Sequence, residues 1–206
     1  MSKIKNVVFD FGGVLVHLNR DQAVKRFEEI GVKDAEQLID PYEQKGVFLE
    51  LENGKITAEE FCEEISKHAG RPISFEEAEY AWLGFVVEVP QEKLDYVMNL
   101  REKYNVYLLS NTNPMIQHWA RNDKFSDKGS ISNYFDKLYC SYEMGLTKPS
   151  ETIFEAMLKD SGMKAEETLF IDDGASNVRV AEKMGFNVYK SENKEDWRGA
   201  IDAILA

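Results

Sequence analysis

The chain has 206 residues, 43% of them hydrophobic, which suits one domain with a small insertion and a core that needs no disulfide staples. Its two cysteines, Cys62 and Cys140, stand far apart and outside any CxxC pattern, so neither a redox pair nor a zinc site is supported. A net charge of −12 repels phosphate backbones and anionic lipid, so no nucleic acid and no membrane is expected as a partner.

A small phosphorylated metabolite stays compatible with that charge, because a bound metal reverses the local field. No apolar run reaches the length of a membrane span, and MSKIKNVVFDF lacks the layout of a signal peptide. A cytoplasmic setting is the expectation.

Residues 4–9 form a short apolar run with β-branched members between lysines and read as a strand. From 21 to about 69 the pattern turns helical, with Ala23, Val24, Phe27 and Ile30 on one face until Gly31 stops the turn. Thr57 with Glu60, and Ser74 with Glu77, are capping-box pairs that open two further helices. No convincing strand is legible in this stretch. Residues 18–90 hold 17 acids and 8 bases, a difference of −9 out of −12, and Pro90 closes the block. Such a charge boundary marks an inserted module.

After Pro90 a helix over 94–103 precedes a strand over 105–110. A strand over 137–141, a helix over 151–161 and a strand over 168–172 follow. A helix over 176–184, stopped by Gly185, leads to a strand over 186–190 and a helical C-terminus. This alternation predicts an α/β fold: a three-layer α/β/α Rossmann-like core with a parallel sheet, plus a small helical cap inserted after the first strand. The core takes 1–17 and 89–206, and the cap 18–88.

In open parallel sheets ligands bind at the carboxyl ends of the strands. Those ends carry Asp10, then Ser110 followed by Asn111 and Thr112, then Asp172 and Asp173; Lys148, in GLTKPS, adds a cation. Adjacent buried carboxylates repel and need a cation or a shared proton. Oxygen-only ligands suit Mg²⁺, which takes one or two carboxylates plus a substrate phosphate. Asp173 taken alone reads equally well as a helix cap. Three aspartates at strand tips do not, given what unpaired buried charge costs. Thr112 and Asn113 read as the start of a turn.

FDFGGVL around Asp10, LLSNT around Ser110, KPS at Lys148 and FIDDGASN around Asp172 and Asn177 resemble, in order and spacing, the four motifs of the haloacid dehalogenase-like (HAD) hydrolases. GKITAEEF and LSNTN resemble the branch with a small helical (C1) cap, which includes bacterial sugar-phosphate phosphatases such as those for α-glucose 1-phosphate, and the phosphatase domain of soluble epoxide hydrolase. The resemblance implies a Mg²⁺-dependent phosphatase acting on a small phosphorylated metabolite through an aspartyl phosphate. Asp10 is then the nucleophile, Ser110 with Asn111 beside it binds the phosphoryl oxygens, and Lys148 neutralises their charge. Asp173 is then a direct metal ligand, with Asp172 acting through water and Asn177 at a position where relatives carry Asp or Asn. The resemblance also implies that the carbonyl of Gly12 ligates the metal together with Asp10.

One position departs from the pattern. Relatives carry a second Asp two residues after the nucleophile, as general acid and base, and here that position is Gly12. A phosphatase for substrates with an easy leaving group fits this, as does a metal-independent 2-haloacid dehalogenase or a non-catalytic protein that binds a phosphometabolite. The pair Asp172–Asp173 weighs against dehalogenation, since the dehalogenase motif lacks it. His17 and His118 have a suitable acidity to replace the acid. Trp82 and Phe85, with Tyr42 and Lys45, are candidates to contact the leaving group, although aromatic residues at helical spacing are more often core.

Overall fold

The computed structural model describes residues 3–40 and 44–206. β1 (Asn6–Phe9) is buried along its whole length, as the central strand of a covered parallel sheet must be. A tight turn leads to β2 (His17–Leu18) and then to helices α1 (Arg20–Glu29), α2 (Ala35–Leu38), α3 (Gly46–Glu52), α4 (Ala58–Ala69) and α5 (Phe75–Trp82). β3 (Val86–Glu88) brings the chain back to α6 (Gln91–Leu100), β4 (Asn105–Ser110) and α7 (Pro114–Ala120). β5 (Lys137–Cys140), α8 (Ser141–Met144), α9 (Glu151–Ser161), β6 (Thr168–Asp172), α10 (Ala175–Lys183), β7 (Asn187–Lys190) and α11 (Arg198–Leu205) complete the order.

The main sheet runs β5-β4-β1-β6-β7, and every pairing in it is parallel. β1 lies between β4 and β6, with Val7 opposite Val106 on one side and Leu169 on the other. The chain fills one flank of β1 and then the other, so the switch in strand order falls at the tip of β1. That is where an open α/β sheet forms its crevice.

Side-chain alternation divides the sheet's two faces. Val7, Phe9, Leu108 and Ile171 pack on one side with Trp197 of the segment before α11. Val8, Leu109 and Phe170 pack on the other with Phe154 and Met157 of α9. The expected α/β architecture is borne out.

The helices between β2 and β3 have a core of their own, in which Phe27, Phe48, Phe61 and Trp82 meet at ring separations of 5.2–6.0 Å. Both capping boxes form: Thr57 Oγ1 accepts from the N–H of Glu60, and Ser74 Oγ from that of Glu77, while each glutamate accepts in return. Met115 of α7 enters the same cluster and ties this module to the sheet's side of the molecule.

Among the described residues no strand falls inside the helical stretch read from 21 to 85, but two short ones flank it. β2 and β3 pair antiparallel, His17 opposite Glu88, so the two crossings between modules form a ribbon. Strands of two and three residues have no alternation to read.

Candidate active site

The turn after β1 sets the site. Asp10 extends the ladder, its N–H donating to the carbonyl of Ile171 at 2.8 Å, and the chain then folds back so that Gly13 N–H reaches the carbonyl of Val16. Two donors from far away fix this turn: Lys93 Nζ at 2.7 Å and Trp197 Nε1 at 2.9 Å both reach the carbonyl of Val14. Gly13 has φ +72°, and a Cβ there would lie 2.0 Å from Asp173 Oδ2, so only glycine lets that carboxylate lie against the turn. Among the described residues no backbone N–H donates to the carbonyl of Gly12, which leaves it available to a ligand.

Three aspartates converge at the strand tips. Carboxylate oxygens of Asp10, Asp172 and Asp173 all lie within 4.8 Å of one another. Lys148, buried among them, donates from Nζ to Asp172 Oδ2 at 2.6 Å and to the carbonyl of Leu109 at 2.9 Å, and lies 3.0 Å from Asp10 Oδ1. Asp10 Oδ1 also accepts from the N–H of Phe11 at 2.7 Å. One oxygen of Asp10 is therefore held by two donors, while no described residue donates to Oδ2.

Asp172 is fully enclosed, with Oδ1 taken by the N–H of Gly174 at 2.7 Å and by Asn177 Nδ2 at 2.9 Å. No side chain donates to Asp173 among the described residues.

One ammonium against three carboxylates leaves negative charge in a buried place. Burial above all, with Asp172 and Asp173 adding to it against Lys148, raises Asp10 to about 7. Burial and Asp172 raise Asp173 to about 6. Burial works against the charge of Lys148, but Asp10 and Asp172 outweigh it and hold the ammonium above its ordinary range. Hard oxygen donors carrying excess negative charge, with the Gly12 carbonyl free beside them, fit a divalent cation such as Mg²⁺.

The other expected residues fall as follows. Ser110 is buried at the end of β4, its Oγ making only a 3.3 Å contact with the carbonyl of Asn111, and it lines the cavity above the aspartates. Asn111 lines it too, but its amide is occupied by the backbone of Lys148. Asn113 caps α7 through the N–H of Ile116, and Thr112 pairs with Ser141, in keeping with a turn.

Trp82 borders the cavity while belonging to the aromatic core of the helical module, and its Nε1 has no partner among the described residues. Phe85 stacks on it at 5.7 Å. Lys45 is exposed just before α3, and Tyr42 lies outside the described residues. His17 Nδ1 meets Glu88 at 2.9 Å and His118 Nδ1 meets Glu79 at 2.6 Å; neither histidine lines the cavity.

The cavity is about 150 Å³, well below the roughly 300–1,000 Å³ that drug-sized ligands occupy. Its floor is the strand tips, and its roof includes Leu18, Gln44, Glu52 and Trp82. Glu52 is a residue that sequence reasoning passes over. It ends α3, is 9% exposed, and burial followed by the charge of Asp10 raises it to about 8, against the pull of Lys148. A signal was present: Phe48, Leu51 and Glu52 stand at i, i+3 and i+4, so a carboxylate falls on the apolar face.

Comparison with known proteins agrees with this geometry. Residues 4–185 match the haloacid dehalogenase-like hydrolase family. A D-ribitol-5-phosphate phosphatase of Bacteroides thetaiotaomicron is 49% identical over 203 residues, covering 98% of each chain. The structure of a HAD-like hydrolase from Porphyromonas gingivalis superposes with a TM-score of 0.95 at 47% identity, covering 99% of this chain and 98% of that one. A HAD family enzyme of Bacteroides thetaiotaomicron, solved in complex with magnesium and inorganic phosphate, gives 0.88 at 39%, covering 96% and 98%. The chain is a hydrolase and belongs to the haloacid dehalogenase-like family.

Proposed function

We propose that the chain hydrolyses the phosphate monoester of a small polyol or sugar, with Asp10 as the nucleophile. It is a Mg²⁺-dependent phosphatase of small phosphorylated metabolites. The observation that carries the assignment of roles is Lys148 Nζ, buried within 3.0 Å of both Asp10 and Asp172 at the floor of a small cavity. Residues 1–17 and 89–206 act as the hydrolase core, and 18–88 as the cap that covers its strand tips. The polyol preference rests on the relative that acts on D-ribitol 5-phosphate and on the small cavity.

Asp10, Asp173 and the carbonyl of Gly12 would hold Mg²⁺, with Asp172 behind them. When bound, the ion supplies positive charge that lets an anionic carboxylate meet an anionic phosphoryl group. The chain's own groups do the rest. Phe11 N–H and Lys148 fix Oδ1 of Asp10 and leave Oδ2 oriented to attack phosphorus. Ser110 Oγ, with no close partner, is placed to donate to a phosphoryl oxygen. Lys148 offsets the charge that gathers as phosphoryl moves to Asp10. The cap excludes water until the alcohol departs.

The test is phosphate release from a panel of pentitol, tetritol and sugar phosphates with Mg²⁺. Turnover is expected on a subset, is abolished by EDTA, and is lost in Asp10→Asn. Release that survives either treatment would refute the assignment.

A further inference from the structure

The phosphatase reading leaves one proton without a source, that of the departing alcohol, because Gly12 has no side chain. We propose that Glu52 of the cap is the general acid that protonates the leaving oxygen. The proposal rests on the phosphatase reading above.

Glu52 lines the same cavity as Asp10, Ser110 and Lys148, from the opposite side. The residue is 9% exposed, and its carboxyl feels Asp10 and Lys148 by charge alone, with no hydrogen bond or ion pair to any described residue. With no protein partner, its oxygens open onto the cavity, where a ligand can reach them.

Its position is set by docking. Just after α3, Gly54 comes so close to α8 that a Cβ would lie 2.2 Å from the carbonyl of Tyr142, and its φ is +67°. The C-terminal end of α3 is thereby fixed on the core, with Glu52 over the strand tips.

A side chain on Gly12 would have to displace the tip of Leu18. A Cβ there would meet Leu18 Cδ1 at 2.9 Å. An apolar residue stands where an acid is missing, and a buried acid stands across the cavity. Burial is the largest influence on Glu52 and keeps its proton on at neutral pH, the state a general acid requires. His17 and His118 are paired elsewhere and do not reach the cavity.

The balance closes. Oδ2 of Asp10 bonds to phosphorus, the bond from phosphorus to the ester oxygen breaks, and that oxygen takes the Glu52 proton to leave as the alcohol. The Glu52 carboxylate then accepts a proton from water as its oxygen attacks phosphorus. The bond from phosphorus to Asp10 breaks, which returns both carboxyl groups to their starting states and yields inorganic phosphate.

The experiment compares kcat/KM of wild type and Glu52→Gln with Mg²⁺ on two esters of similar shape. para-Nitrophenyl phosphate has a leaving group that needs no proton, and para-nitrobenzyl phosphate has one that does. This ratio reports phosphoryl transfer through departure of the alcohol, so later hydrolysis of the phospho-enzyme does not enter. Glu52→Gln is expected to lose ~10²–10⁴-fold on the benzyl ester and far less on the phenyl ester. Retained phenyl ester turnover also shows that the variant site is folded. Glu52→Asp, which keeps an acid, is expected to lose less than Gln on the benzyl ester alone. An equal loss on both esters, or none on either, overturns the proposal. Absence of Mg²⁺-dependent turnover in wild type on the pentitol, tetritol and sugar phosphates, by contrast, overturns the phosphatase reading itself.

Discussion

Asn111 brackets the peptide of Lys148. Its Nδ2 donates to the Lys148 carbonyl at 2.9 Å, and its Oδ1 accepts from the Lys148 N–H at 2.8 Å. The two residues come from different strand-end loops, 37 positions apart, so this pair of bonds sets where the lysine enters the site. We propose that Asn111 positions Lys148.

Asn111→Ala removes both bonds while leaving the aspartates in place. A displacement of about 1 Å at a charged catalytic group costs roughly 10²-fold in rate. Steady-state kinetics are expected to show kcat reduced by about that factor, with Mg²⁺ affinity retained. A change in KM alone, with kcat intact, would mean that Asn111 binds substrate and does not position the lysine.

Gly13 and Asp173 give a second prediction. Any side chain on Gly13 displaces Asp173 Oδ2, and the left-handed backbone adds strain of order 1–3 kcal/mol for a non-glycine residue. Mg²⁺ at a hundred times its Kd stabilises a folded chain by about 2.7 kcal/mol. Wild type is expected to show that rise in unfolding free energy and to lose it in EDTA, whereas Gly13→Ala shows little rise at the same concentration. Denaturant titrations with and without Mg²⁺ decide it; an undiminished response in Gly13→Ala removes Asp173 from the metal site.

Trp197 shows how the C-terminal segment supports the turn after Asp10. Its indole N–H donates to the Val14 carbonyl, and its ring lies 5.3 Å from that of Phe9. Trp197→Phe keeps an aromatic ring but drops the donor, and Lys93 still reaches the same carbonyl. A loss of about 1 kcal/mol in urea stability is expected from the missing bond. No loss would mean that Lys93 alone holds the turn.

The strand tips were legible because each is a short apolar run that ends in polar residues, and the parallel order of strands follows from their alternation with helices. Asp10, Ser110, Lys148, Asp172 and Asp173 do meet at one end of the sheet. What local pattern does not carry is contact between distant segments. The ribbon of β2 and β3 is too short for any period. Asn111 is spoken for by a peptide 37 residues on. Trp82 sits in the aromatic cluster of Phe27, Phe48 and Phe61 as much as in the cavity wall. Glu52 shares a helix face with Phe48 and Leu51, but its burial against the core depends on Gly54 meeting Tyr142, a contact no single helix reveals.

The protonated state of Glu52 has a consequence for stability, and its sign follows from linkage. The folded chain holds this proton up to about pH 8, whereas the unfolded chain releases it near 4.5. Between those values the unfolded state binds fewer protons, so stability falls as pH rises, at up to ~1.4 kcal/mol per pH unit. The contribution is fully present below 4.5 and is lost as pH passes through about 8. From the core, Asp10 raises the acid and Lys148 lowers it. On α8, Glu143 is paired with Arg121 and accepts from Tyr142, while Glu50 and Lys55 beside Glu52, and Glu59, Glu60 and Glu63 on α4, are exposed. Glu52→Gln carries no titrating group there, so the difference between the two proteins reports Glu52 together with its coupling to Asp10. Urea titrations of metal-free wild type and Glu52→Gln are therefore expected to diverge in favour of the variant as pH rises from 4.5 to about 8. A constant difference across that interval would show that Glu52 ionises normally in the folded chain, and would leave it unprotonated at the pH where a general acid has to act.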